Sequence, residues 1–173
     1  MHLLTDMLAP DEPHHSLQLG YQDGSRRLVH WSAREVPYPD GRLIVSRTGL
    51  DGVITHANAA FVELSGYSRE ELIGAPHHIL RHPDMPKIAF KGLWDTIMAG
   101  QKWHGYVKNL RKDGAYYWVY ATALPNVRKD EVVGFTSVRR KPSRKRIEEL
   151  IPVYRQWLEE ERNAAGLATE QAP

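Results

Sequence analysis

Cysteine is absent from the 173 residues. Without a thiol the chain can form no disulfide, thiolate zinc site, iron–sulfur cluster, thioether-linked haem or cysteine nucleophile. An excess of charge of either sign is missing too: 23 basic and 21 acidic residues leave a net charge of +2. That balance supplies no dense electropositive surface for a phosphate backbone, so nucleic acid is not an expected partner. No apolar run approaches the ~20 residues that span a bilayer, and residues 1–8 are too short and polar a stretch for a signal peptide. A soluble, cytoplasmic chain is expected. Glycine-rich phosphate loops, nucleophile elbows and kinase-type catalytic loops are also lacking, and the chain is not expected to be an enzyme.

What remains fits one domain with extensions. Residues 1–41, rich in Pro, Asp, His and Gly, read as an N-terminal extension; the scatter of Leu3, Leu4, Met7, Leu8, Leu17, Leu19 and Tyr21 supports at most one short helix. Pro37, Pro39 and Asp40-Gly41 then punctuate the chain, and a central domain is expected over 42–141. Strands over 43–46 and 53–56 flank a turn ending at Asp51-Gly52. Asn58 can cap a helix over 59–64 that Gly66 ends, and Ser68 opens a second with Glu70 or Glu71 in its first turn. Ile88, Phe90, Leu93, Trp94, Ile97 and Met98 recur at helical spacing over 87–99, before Gly100. Strands over 103–111, 116–124 and 131–139 follow, separated by the Lys112-Asp113-Gly114 turn and a loop over 125–130. Two strands, three helices and three strands predict an α+β fold: a five-stranded antiparallel sheet with short helices on one face. Residues 142–173 read as a signalling or dimerisation helix and tail. Their helix, 143–162, carries Ile147, Leu150, Ile151, Tyr154, Trp157 and Leu158 on one exposed stripe that needs a partner.

The stretches Ile54-Thr55-His56-Ala57-Asn58, Leu64-Ser65-Gly66-Tyr67-Ser68, Arg81-His82-Pro83-Asp84-Met85-Pro86, Trp103-His104-Gly105 and the run from Lys108 to Gly114 together resemble PAS domains of the bacterial aerotaxis-receptor type. The resemblance covers roughly 36–141 and is most specific at the Arg-His-Pro-Asp-Met-Pro segment. It implies non-covalent FAD and a sensor that turns redox, oxygen or respiratory state into a conformational signal. FAD-binding PAS domains of a nitrogen-fixation redox regulator share the strand pattern seen at Trp103, Gly105 and Asn109. The missing cysteine excludes photoreceptors that trap light as a cysteinyl-flavin bond. FMN is not excluded by residue types, and haem on one axial histidine is an alternative.

Two-residue alternation sets Trp103, Gly105, Val107 and Asn109 on one strand face. Trp, Gly and Asn supply a flat wall, close approach and amide groups for an isoalloxazine edge, though Trp103 is also explained by core packing. On the next strand the small set Tyr117, Val119, Ala121 and Ala123 should face the helices, placing Trp118 on the outer sheet face, where a flanking helix can pack. His77, His78, Arg81, His82 and Asp84 lie between short helices, where a PAS cofactor cleft opens, Arg81 and His82 being the dinucleotide-side candidates. Alternatively Asp84 caps the next helix while Arg81 and His82 pin the loop. Asn58 is a candidate by family position and an N-cap by local sequence. Nine histidines give no converging metal-ligand spacing. A homodimer, or a signalling partner engaged through the 143–162 helix, is expected to carry the output. The chain ends at Pro173 with no kinase, cyclase or methyl-accepting region, so that output is expected to lie in another chain or in sequence absent here. The rival reading is a ligand-free PAS interaction module.

Overall fold

Residues 3–166 are described by a computed structural model. The extension holds two strands, β1 (His14–Gly20) and β2 (Arg26–Ser32), paired as an antiparallel hairpin. This corrects the expectation of at most one short helix. Leu17, Leu19 and Tyr21 are spaced by two, the period of a strand, and Gly24, at φ 81°, turns the chain after Asp23. Met7, Leu19, Tyr21 and Val29 bury against Leu110 of the main sheet.

The main sheet contains β3 (Ile44–Thr48), β4 (Ile54–Ala57), β5 (Trp103–Leu110), β6 (Tyr116–Arg128) and β7 (Glu131–Arg140), in the antiparallel order β4-β3-β7-β6-β5. The expected five strands are all present, but β6 runs further than its expected end. Pro125 is tolerated within it because β5 pairing stops at Ala123, so one edge of β6 is already free there. The expected 125–130 loop reduces to a two-residue turn at Lys129 and Asp130, both at positive φ (49° and 63°), as a tight hairpin turn requires. Gly134 of β7 lies against β3, where an added Cβ would stand 2.4 Å from the Thr48 carbonyl oxygen. Backbone cannot yield as a side chain does, so Gly134→Ala is expected to cost about 2 kcal/mol in a denaturant melt. A loss too small to measure would contradict this packing.

Helices α1 (Ala59–Ser65), α2 (Arg69–Leu72) and α3 (Lys87–Met98), with a 3₁₀ turn over His77–Leu80, follow β4. Asn58 caps α1, Gly66 ends it at φ 75°, and Ser68 with Glu71 forms a reciprocal capping box on α2. Ile44, Ile54, Phe61, Leu72, Leu80 and Tyr117 are fully buried in the core beneath these helices.

Helix α4 (Arg144–Ala164) begins at its Ser143 cap. Its apolar stripe finds a partner within the chain: Ile147 and Tyr154 are buried, and Leu150 and Trp157 join the same core. Trp118 receives Tyr154 on the outer sheet face, ring centroids 6.3 Å apart, and the Tyr154 hydroxyl donates to the Tyr106 carbonyl at 2.8 Å. Sequence spacing shows such a face but not what covers it; of the six stripe residues Ile151 alone is exposed. The Ala- and Glu-rich tail beyond 166 lies outside the described residues.

Candidate functional site

Alternation along the sheet and helical spacing on α3 open a cavity of about 590 Å³ between them. That volume falls in the ~300–1,000 Å³ range of small-molecule sites. Its floor is Val107 and Asn109 of β5, Val119 and Ala121 of β6, and Ser137 and Arg139 of β7. Phe90, Leu93 and Trp94, at helical spacing, make an apolar roof with Lys87 at the N-terminal end. The 3₁₀ turn and the residues after it supply His77, His78, Leu80 and Arg81, and the tip of the N-terminal hairpin closes one side with Tyr21 and Asp23. Tyr21 stacks on His78, centroids 3.9 Å apart and planes at 11°. Beneath that lid burial lowers the pKa of both His78 and Arg81 and raises that of Tyr21.

Arg139 stands out electrostatically. It is 2% exposed, rests over the Phe61 ring, bonds the Ser46 hydroxyl, and lies 3.4 Å from His77 Nε2, while its Nε has no partner. No carboxylate among the described residues pairs with it. Burial lowers its pKa to about 10, which still leaves a cation at neutral pH. An apolar cavity with an unpaired guanidinium on its floor is suited to a flat ligand that carries or acquires negative charge.

The eight sequence candidates divide. Asn109, Arg81 and His78 line the cavity. Trp103 shares the inner strand face, but its ring folds over Gly105, where an added Cβ would lie 2.3 Å from it, and it packs with the Ile97 cluster. Asn58 is occupied as a brace: its side chain accepts from the Phe61 and Val45 N–H groups and donates to the Leu43 carbonyl. Asp84 does not cap α3, whose N-cap is Pro86; its carboxylate accepts from Lys108 Nζ at 2.7 Å. His82 is fully buried, accepts the Asp84 N–H at 3.0 Å, and meets Trp31 and Tyr116 edge-on, tying the hairpin to the sheet. His77, expected in the cleft segment, lines the cavity as well; Arg139, Trp94 and Tyr21 are site residues that sequence reading does not reach. The signal for Arg139 was its inward register two residues beyond Ser137 on β7.

Burial, with Lys108 nearby, lowers the pKa of His82 to about 3 against an ordinary 6.5. Between those values the unfolded chain takes up a proton that the folded chain refuses. Stability contributed by His82 is therefore complete above pH 6.5 and falls as pH drops, by up to about 1.4 kcal/mol per pH unit. His82→Gln should make the stability profile between pH 6.5 and 5 less steep, the share of His77, whose pKa burial also lowers to about 3, remaining, as measured by denaturant titration; an unchanged slope would contradict the assignment.

Among the described residues no three acidic or histidine side chains gather closely enough to hold a metal ion, and no helix is long and apolar enough to cross a membrane.

Residues 54–139 match the PAS fold family. The aerotaxis receptor of Escherichia coli strain K12 is 44% identical over 122 residues, 70% of this chain and 24% of the receptor. The nitrogen fixation regulatory protein of Klebsiella pneumoniae is 32% identical over 81 residues, 47% of this chain and 16% of that protein. The chain thus spans about a quarter or less of these relatives. Among solved structures, the light state of the Aureochrome1 LOV blue-light photoreceptor superposes with a TM-score of 0.58 at 22% identity, covering 64% of this chain and 89% of that one. The sheet order, the helices over its inner face and these matches converge: the chain belongs to the PAS family, and its PAS domain is of the kind carried by the aerotaxis receptor.

Proposed function

We propose that the cavity holds a flavin, as FAD, and that the domain reports the flavin's redox state as a change in α4, serving a redox or oxygen sensor. The observation that carries this reading is Arg139, a buried cation with no carboxylate partner among the described residues, on the floor of an apolar cavity that Asn109 also lines. The residues fit the group. Val119, Ala121, Leu93 and Trp94 form two apolar walls, and the Asn109 amide offers both donor and acceptor. Arg81 and Lys87, two cations on the cavity lining, suit phosphate, which favours a dinucleotide over the bare ring. The similarity to the aerotaxis receptor supports the same assignment.

When bound, a flavin accepts electrons and gains negative charge at its ring edge. Arg139 is the residue that would hold that charge, and its contacts to Ser46 and His77 are the neutral ones it would exchange for it. The Arg139 backbone is anchored by Tyr38, whose hydroxyl lies 2.8 Å from its carbonyl, just before the chain enters α4. Strand β6 carries the same signal through the sheet, with Val119 and Ala121 facing inward and Trp118 outward against Tyr154. Output through α4, to a second copy or to a signalling partner in the cytoplasm, completes the proposal.

The test is the absorption spectrum of freshly purified protein, followed by release and chromatography of its chromophore. Oxidised-flavin absorption with FAD in the released fraction is expected. A haem-type Soret band, or a folded colourless protein that refuses FAD, would overturn the reading; the latter outcome would favour the ligand-free interaction module.

A further inference from the structure

Helix α3 roofs the cavity yet has no cap of its own. Its N-cap is Pro86, which offers no side-chain acceptor, and its first turn holds no acidic residue. The free N–H groups are satisfied from far along the chain: Glu161, in the last turns of α4, accepts from the Lys87 N–H at 3.0 Å and from the Ile88 N–H at 2.9 Å. A carboxylate there is doubly favourable, by hydrogen bonding and by opposing the positive end of the helix dipole. Glu161 also lies close enough to Arg81, on the cavity wall, to favour that guanidinium's charged form against burial.

These contacts give α4 two separate attachments. One is the packing of Ile147 and Tyr154 on the outer sheet face. The other is Glu161, which reaches past the sheet edge to the helix that roofs the cavity. Lys87 both belongs to the capped turn and lines the cavity. Negative charge placed in the cavity therefore competes with Glu161 for the same positive helix end and for Arg81.

We propose that Glu161 is a redox-released latch: it holds the C-terminal turns of α4 on the N-terminus of α3, and added negative charge in the cavity loosens it. The inference rests on the cavity being the flavin-binding redox site. Release is confined to the part of α4 beyond Tyr154, because Ile147 and Tyr154 keep the rest docked.

Hydrogen–deuterium exchange on the full chain with FAD, oxidised and after chemical reduction, tests the latch. In the natural sequence, reduction should speed exchange at the Lys87 and Ile88 amides and in α4 beyond Tyr154. Glu161→Ala should speed exchange at those two amides about fivefold in the oxidised state, the order of a lost helix cap. It should leave flavin absorption unchanged and abolish the redox dependence of the α4 signal. Glu161→Gln, which keeps an acceptor oxygen but not the charge, should fall between. Glu159→Ala, an exposed neighbour on the same helix, should behave as the natural sequence. A full redox response of α4 in flavin-loaded Glu161→Ala overturns the latch and leaves the flavin reading standing. A natural-sequence protein that takes up no flavin overturns that reading, and the latch with it.

Discussion

Arg139→Met is expected to weaken FAD binding at least tenfold while leaving the ligand-free protein as stable as before or more so. The two effects have one cause. A guanidinium that is 2% exposed, with no carboxylate partner among the described residues, is an unfavourable charge in the ligand-free protein, and methionine replaces its length with apolar volume. The lost Ser46 and His77 contacts and the Phe61 ring contact work the other way, but they are neutral partners that do not balance a buried charge. With FAD added, the same substitution removes the cation that a negatively charged ring edge would meet. Tenfold in affinity is about 1.4 kcal/mol, a modest demand on a charge-assisted hydrogen bond. Calorimetric titration with FAD and a thermal melt without it are sufficient. Unchanged affinity together with a large loss of stability would make Arg139 a structural brace and remove the main support for the cavity's function.

Arg27→Ala is expected to cost about 3 kcal/mol of stability and to speed release of bound FAD. Arg27, 4% exposed on β2, donates from Nε to the Thr5 carbonyl at 2.6 Å, and its two terminal nitrogens reach the Ile79 carbonyl and the Tyr67 hydroxyl. It joins the N-terminal hairpin to the 3₁₀ turn and to the segment after α1, the elements that carry one end of the cavity. Hydrogen bonds to a charged donor contribute about 1.5–3 kcal/mol each, and the buried acceptors would be left partly unsatisfied. With that anchor gone, the hairpin tip and its Tyr21 stack on His78 lose their support, so the lid opens more often. Denaturant unfolding and a displacement experiment measure both effects. If stability falls but release is unchanged, the hairpin supports the fold without gating the cavity.

The main sheet was legible because each strand carried its own evidence: two-residue alternation, Asp51-Gly52 and Asp113-Gly114 at turns, and glycines that end helices at positive φ. The expectation that Val119 and Ala121 face inward while Trp118 faces outward followed from size alone, and the cavity floor and the Trp118–Tyr154 stack agree with it. The hairpin was not legible in the same way. Its inward positions include Arg27 and its strands are rich in histidine, so apolar scatter outweighed alternation; its burial becomes visible only beside Leu110 and Tyr67. The site was half legible. Asn109 sits on the predicted face and on the cavity wall, but Trp103 turns onto Gly105, a rotamer that spacing cannot reveal. Asp84 and His82 engage Lys108, Trp31 and Tyr116, contacts between segments far apart in sequence. Arg139 and Glu161 were missed for that same reason: each matters through a distant neighbour, a cavity in one case and a helix end in the other.

The most direct test of flavin binding in this cavity is a crystal structure of the protein grown with FAD. The account predicts ring density between the Val119–Ala121 floor and the Leu93–Trp94 roof, with an Arg139 nitrogen and the Asn109 amide within hydrogen-bonding distance of the ring edge. FAD bound elsewhere on the molecule, or a cavity filled by Trp94 and closed to the ring, would contradict it.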